Sequence, residues 1–78
     1  MKGIRLSHGV TFVEYKGMTF RILPSGECGV SPILYGTLEW DLRTEPPGTW
    51  EYVGEADIKA LGDEIFGKIE ALAATSDL

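Results

Sequence analysis

His8 and Cys28 are the two side chains of this sequence whose types could support nucleophilic chemistry. A cysteine nucleophile needs its thiolate form, a base within hydrogen-bond reach and usually a third group that orients the base. The chain has one cysteine and one histidine, and no recognisable catalytic motif surrounds either of them. We therefore expect no enzymatic activity and no catalytic residue, with His8 exposed near the N-terminus and Cys28 half-buried as a small apolar side chain.

The sequence pattern also lacks the features of metal and cofactor sites. A structural zinc site needs four Cys or His ligands at short spacings, which this inventory cannot supply. Glu39 and Asp41 alternate as calcium ligands do, but the rest of a calcium-binding loop is missing. The glycines within 26–29 lack the strand–loop–helix context of a phosphate-binding loop. The sequence therefore predicts no metal and no cofactor.

The charge of the chain is unevenly distributed along its 78 residues, whose formal net charge is −5. Residues 1–38 carry four basic and two acidic side chains, whereas residues 39–78 carry three basic and ten acidic side chains. Such asymmetry between two halves suggests an interaction surface, although carboxylates can also simply solvate a surface helix and a strand.

The acidic half is predicted to bind another protein that has a basic surface, through charge complementarity. Nearby aromatic side chains would supply specificity, because Trp and Tyr dominate the hot spots of protein interfaces. The predicted partner-binding residues are Glu39, Asp41, Glu45, Trp50, Glu51, Tyr52, Asp63, Phe66 and Glu70. Trp40 is assigned to the core because it falls on an apolar face, whereas Trp50 fits the core and the interface equally well.

The leading interpretation is a small acidic protein-binding module. One concrete version is an inhibitor of the phage or mobile-element type that blocks a nucleic-acid-binding protein complex. Anti-CRISPR proteins resemble this chain in being small, often acidic and without enzymatic motifs. The resemblance is one of size and charge only, and no residue motif identifies a family, so no site residue is carried over from it.

Two alternatives stay open. A DNA-binding or accessory domain could use a three-stranded sheet face lined by Arg5, Lys16 and Arg21. Direct nucleic-acid binding is nevertheless disfavoured, because phosphate contacts supply most of the affinity and the second half of the chain is strongly negative. A self-associating structural or assembly subunit could instead pair an open sheet edge with its own copy, which would make a homodimer.

Local patterns predict the elements that position these residues. Residues 10–23 form two β-rich runs around Gly17, which favours a β-hairpin. Residues 33–42 alternate between apolar and polar side chains, which predicts a strand that pairs with a short strand at 49–53. Residues 56–73 show a helical period, with Gly62 expected where the helix backbone presses on the sheet.

The predicted fold class is α+β, with an antiparallel sheet of about four to five strands in two β-hairpins and one C-terminal α-helix packed on one face. Residues 1–78 are expected to form a single domain, with 1–8 and 75–78 as flexible tails. The other face of the sheet stays open unless something else covers it. A single cysteine, no long apolar run and no signal-peptide pattern together favour a cytoplasmic location without membrane contact.

Overall fold

The computed structural model describes residues 1–44 and 49–75, in which five antiparallel strands form one sheet. The elements in chain order are β1 (Lys2–Leu6), β2 (Thr11–Tyr15), β3 (Met18–Ile22), β4 (Cys28–Val30), α1 (Tyr35–Arg43), β5 (Trp50–Val53), α2 (Glu55–Lys59) and α3 (Asp63–Thr75). The strand order across the sheet is β4-β3-β2-β1-β5. The predicted α+β class, an antiparallel sheet with a C-terminal helix, is confirmed.

The β2–β3 hairpin is present as predicted. Tyr15 pairs with Met18, so the loop between the strands consists of two residues. Both of these residues, Lys16 and Gly17, have positive φ angles of 52° and 77°. Two consecutive positive φ angles characterise the type I′ turn, whose twist matches that of the flanking strands.

One face of the sheet packs against α2 and α3, and we call it the α3 face. Gly3 pairs with Val13 on one side and Val53 on the other, and Val13 pairs with Phe20, so these residues point to the same side. The buried cluster on this face consists of Val13, Phe20, Ile22, Val53, Ile58, Ile69 and Ala73. The apolar side of α3 therefore packs on this face, nearest to the edge strand β4, and contributes to the main core.

The opposite face, which we call the α1 face, packs against α1. Ile4 pairs with both Phe12 and Tyr52, and all three point away from the α3 face. Ile4 and Phe12 are buried there, together with Tyr35 and Leu38 of α1. The face that the sequence left open is therefore covered by a helix from the same chain.

The strand predicted at 33–42 is wrong, because α1 occupies most of this segment. The buried side chains of α1 are Tyr35 and Leu38, with Leu42 half-buried behind them. These positions are three and four residues apart, which is the spacing of one helix face. The second predicted hairpin is consequently absent as well, and β5 pairs with β1 instead.

The flexible tail predicted at 1–8 is also wrong for most of its length. Lys2–Leu6 forms β1, which lies between β2 and β5 and is hydrogen-bonded to both. Ile4 at its centre is fully buried, and burial of its side chain on the α1 face fixes the strand. Of the predicted C-terminal tail, Thr75 is the last residue of α3, and 76–78 lie outside the described residues.

The single helix predicted over 56–73 is divided into α2 and α3. The division falls at Gly62, whose φ of +121° is a conformation that L side chains rarely adopt. A Cβ built on Gly62 would meet no atom within 4 Å, so the expected close approach to the sheet does not occur there. Gly62 serves instead to end one helix and to let α3 start in a new direction.

Gly67→Ala should raise the free energy of unfolding by about 1 kcal/mol, because glycine in a helix interior is less favourable than alanine by that amount. Gly67 lies within α3, and a Cβ at this position would meet no atom within 4 Å. Urea unfolding of the full chain measures the change. The control is Gly62→Ala, which should instead lower the free energy of unfolding by about 1–2 kcal/mol because of its positive φ. Equal effects of the two substitutions would contradict the division of the helix at Gly62.

Candidate protein-binding surface

Helix α1 presents its outer side to solvent because its inner side is anchored on the sheet. Tyr35 and Leu38 are 4% and 6% exposed, which fixes the rotation of the helix about its axis. Successive residues advance by about 100°, so Trp40 lies roughly 200° from Leu38. Trp40 accordingly points away from the sheet and is 67% exposed. The expectation that Trp40 belongs to the core is therefore wrong.

The space beside the Trp40 ring is left open by the helix itself. Gly36 lies one turn earlier on the same outer side, and helical side chains lean toward the N-terminus of their helix. A Cβ added at Gly36 would meet no atom within 4 Å. Leu34, which precedes the first turn, is 70% exposed. The outer side of α1 thus offers a large aromatic ring next to bare backbone, and Leu34 adds an exposed apolar side chain at the N-terminal end of the helix.

Tyr52 extends this surface from the neighbouring edge strand. It points to the α1 face and is 56% exposed. Its hydroxyl donates a hydrogen bond to the Glu39 carboxylate, and the Arg43 guanidinium donates to the same carboxylate oxygen at 2.9 Å. The hydrogen bond from Tyr52, with a further contribution from the charge of Arg43, lowers the pKa of Glu39, while slight burial opposes that shift. Glu39 is therefore held as an anion that links α1 to β5.

Trp50 contacts both α1 and Tyr52. Its indole N–H donates to the backbone carbonyl of Leu42 at 2.9 Å, which satisfies one of the last carbonyls of α1. Its ring meets the Tyr52 ring edge-on, with centroids 5.0 Å apart and an interplanar angle of 82°. Trp50 is half-buried, which is intermediate between the core position and the interface position that the sequence left open.

We define the α1–β5 surface as the exposed and half-buried residues of α1, of its N-terminal cap and of the α1-facing side of β5, namely Leu34, Gly36, Glu39, Trp40, Asp41, Trp50 and Tyr52. It combines exposed aromatic rings with carboxylates on one side of the sheet. Four of the residues predicted to bind a partner, Glu39, Asp41, Trp50 and Tyr52, lie in this set. Trp40, Leu34 and Gly36 were missed, and the Tyr35–Leu38–Leu42 spacing is the signal that could have placed Trp40 outside.

The remaining predicted residues lie elsewhere. Glu51 points to the α3 face, where the guanidinium of Arg5 lies 3.4 Å from its carboxylate. Asp63, Phe66 and Glu70 belong to α3, so the sheet separates them from Trp40. Glu45 falls outside the described residues. The carboxylates of the acidic half are therefore divided between the two sides of the sheet.

The basic side chains do not line one sheet face as the DNA-binding alternative requires. Arg5 pairs across the sheet with Thr11 and points to the α3 face. Arg21 pairs with Phe12 and points to the α1 face, while Lys16 lies in the β2–β3 turn. Within residues 1–44 and 49–75, each face of the sheet also packs against a helix, α1 on one face and α2 with α3 on the other.

The chemistry-bearing side chains lie apart. His8 is exposed in the turn between β1 and β2, whereas Cys28 is half-buried on β4, and β2 and β3 lie between them. Burial raises the pKa of the Cys28 thiol, and the nearby Lys68 ammonium offsets only part of this effect. Within 1–44 and 49–75, no three Asp, Glu, His or Cys side chains are grouped as a metal site requires. The helices of the same ranges include none with the length and apolar character needed to span a membrane.

Comparison with known proteins adds no family to this geometry: no protein-family model matches the chain, and searches of curated proteins and of solved structures find no significant match.

Proposed function

We propose that this chain is a small protein-binding module that recognises its partner through the α1–β5 surface. The observation that carries the proposal is the exposure of Trp40 on the outer side of a helix whose inner side is anchored on the sheet. Most of the Trp40 ring is left exposed by the fold, and an exposed ring of this size favours association with another surface. Tyr52 provides a second exposed aromatic ring on the same side.

The partner is expected to present a basic surface. Asp41 is exposed on α1 and follows Trp40 in the sequence, and Glu39 is held as an anion by the hydrogen bond from Tyr52. A positive surface would be attracted to these carboxylates, while the aromatic rings would supply the specific contacts. One concrete form of the function is inhibition, in which the module covers the basic nucleic-acid-binding surface of another protein.

The test starts by capturing partners of the full chain from the lysate of its host and identifying them by mass spectrometry. Trp40→Ala should then raise the dissociation constant of the purified complex at least tenfold, since buried aromatic anchors dominate interfaces. The free energy of unfolding should change by less than about 0.5 kcal/mol, because the side chain is exposed. A captured partner that binds Trp40→Ala and the unaltered chain equally well would exclude this surface.

A pair of charge reversals tests the electrostatic part. Asp41→Lys should weaken partner binding and reduce its salt dependence, because it replaces an exposed negative charge of the α1–β5 surface by a positive one. Glu70→Lys is the matched control, since it makes the same charge change on α3, on the other side of the sheet. Glu39 is avoided as a site of reversal because it accepts hydrogen bonds from Tyr52 and Arg43. Equal losses in the two variants would show a general effect of net charge.

A further inference from the structure

Strand β5 lies at one end of the sheet. It pairs with β1 through Gly3–Val53 to Leu6–Trp50, and no other strand in the described part of the chain lies along its outer side. An edge strand has backbone N–H and C=O groups that can accept a further strand. The α1–β5 surface adjoins this edge, because Trp50 and Tyr52 belong to both.

The hydrogen-bond phase of β5 identifies the groups that face the outer side. The backbone N–H of Ser7 donates to the carbonyl of Thr49 at 2.8 Å, which makes this a hydrogen-bonded pair of the β1–β5 ladder. Bonded and non-bonded pairs alternate along antiparallel strands, so Glu51 directs its backbone groups toward Arg5 of β1. Trp50 and Tyr52 consequently direct theirs toward the outer side.

A second copy of this chain is a poor occupant of the edge. The two-fold pairing that overlaps most of β5 is centred on Glu51 and would place Trp50 of each copy opposite Tyr52 of the other. Glu51 would then lie directly opposite the Glu51 of the other copy. Like charges directly opposite each other are destabilising, and each copy has a net charge of −5.

We propose that β5 accepts an extended strand from another protein, with Lys or Arg on the side of Glu51 and apolar residues on the side of Tyr52. This inference rests on the proposed function and specifies how the partner is held. Residues 49–57 contain three carboxylates and no basic side chain. The Glu51 side chain is 64% exposed and has its ion-pair contact with Arg5 at 3.4 Å, which leaves room for a second cation. Strand addition of this kind takes affinity from the backbone and specificity from alternate side chains.

The probes are two capped eight-residue peptides, one of alternating lysine and valine and one of alternating glutamate and valine. The lysine peptide should bind the full chain at least tenfold more tightly than the glutamate peptide. In amide hydrogen exchange followed by NMR, it should slow the exchange of the Tyr52 amide at least tenfold. The backbone amides of the valines are the ones that would face β5, opposite Trp50 and Tyr52. N-methylation of these amides in the lysine peptide should abolish both effects.

In the Glu51→Lys variant, the glutamate peptide should bind more tightly than the lysine peptide. In the Glu70→Lys variant, which has the same change in net charge, the lysine peptide should still bind more tightly. Equal binding of both peptides, or binding that leaves exchange of the Tyr52 amide unchanged, would overturn strand addition. Concentration-dependent protection of Tyr52 without peptide, together with dimers in sedimentation, would also overturn it and identify a second copy as the occupant. A natural partner whose binding depends on Trp40 but does not slow exchange of the Tyr52 amide would contradict strand addition alone. The proposed function would then still hold.

Discussion

Gly3→Ala should lower the free energy of unfolding by about 2–3 kcal/mol, the upper part of the range for overpacking in a well-packed core. A Cβ at Gly3 would lie 2.9 Å from the backbone oxygen of Phe12 and 2.9 Å from Cγ2 of Val53. It would also lie 3.3 Å from Cδ1 of Ile58. The backbone oxygen belongs to the neighbouring strand of the ladder and cannot move without disturbing the β1–β2 pairing. Urea unfolding of the full chain measures the loss.

The matched control is Gly29→Ala. Gly29 also lies in a strand, β4, but a Cβ there would meet no atom within 4 Å. This substitution should be neutral or should raise the free energy of unfolding by a few tenths of a kcal/mol, about the gain from a less flexible unfolded chain. Equal stabilities of the Gly3 and Gly29 variants would contradict the close packing of β1 against β2, β5 and α2.

Gly3 also shows why β1 escaped prediction from the sequence. The β2–β3 hairpin could be predicted because its turn chemistry at 16–17 is local. β1 has no such signal: it is five residues long, starts at Lys2 and contains the charged Arg5 next to the buried Ile4. Its place between β2 and β5 depends on pairing with a strand more than 40 residues away, and such long-range pairing leaves no periodic pattern in either segment.

The segment 33–42 was misassigned because two periods overlap in it. Leu34, Leu38 and Leu42 are four residues apart, a spacing that fits one side of a strand and nearly fits one side of a helix. Tyr35 distinguishes the two, since a strand would place it with the polar residues, whereas the structure buries it at 4% exposure. Trp40 shared the parity of the leucines, and its assignment to the core failed together with the strand.

Part of the candidate surface could be predicted from the sequence. Its carboxylates and aromatic rings are visible in the sequence, and Glu39, Trp50 and Tyr52 do come together. What the sequence could not indicate is which layer each element joins. α1 and α3 pack on opposite faces of the sheet. A partner bound at Trp40 would therefore have to extend around the sheet to contact Asp63 and Glu70.

The stability of the fold should fall as pH rises from about 10 toward about 12, and the buried hydroxyl of Tyr35 should contribute to this fall. Burial, with smaller contributions from the charges of Glu39, Tyr52 and Glu14, raises the pKa of Tyr35 to about 12. The unfolded chain ionises the same hydroxyl near its ordinary value of about 10. Between these values the folded protein keeps the proton and the unfolded chain loses it, so alkali favours unfolding. The loss should reach about 2 kcal/mol by about pH 11.5, since each pKa unit corresponds to about 1.4 kcal/mol.

Tyr35→Phe isolates this contribution from other groups that titrate in alkali. No residue in the described ranges accepts a hydrogen bond from the buried Tyr35 hydroxyl, so its removal at pH 8 should be neutral or stabilising by about 1 kcal/mol. At about pH 11.5 the advantage of the phenylalanine variant over the unaltered chain should have grown by about 2 kcal/mol. Urea unfolding at both pH values measures this change. An advantage that is the same at both values would mean that Tyr35 is accessible to solvent, and α1 would then not be packed on the sheet as the structure describes.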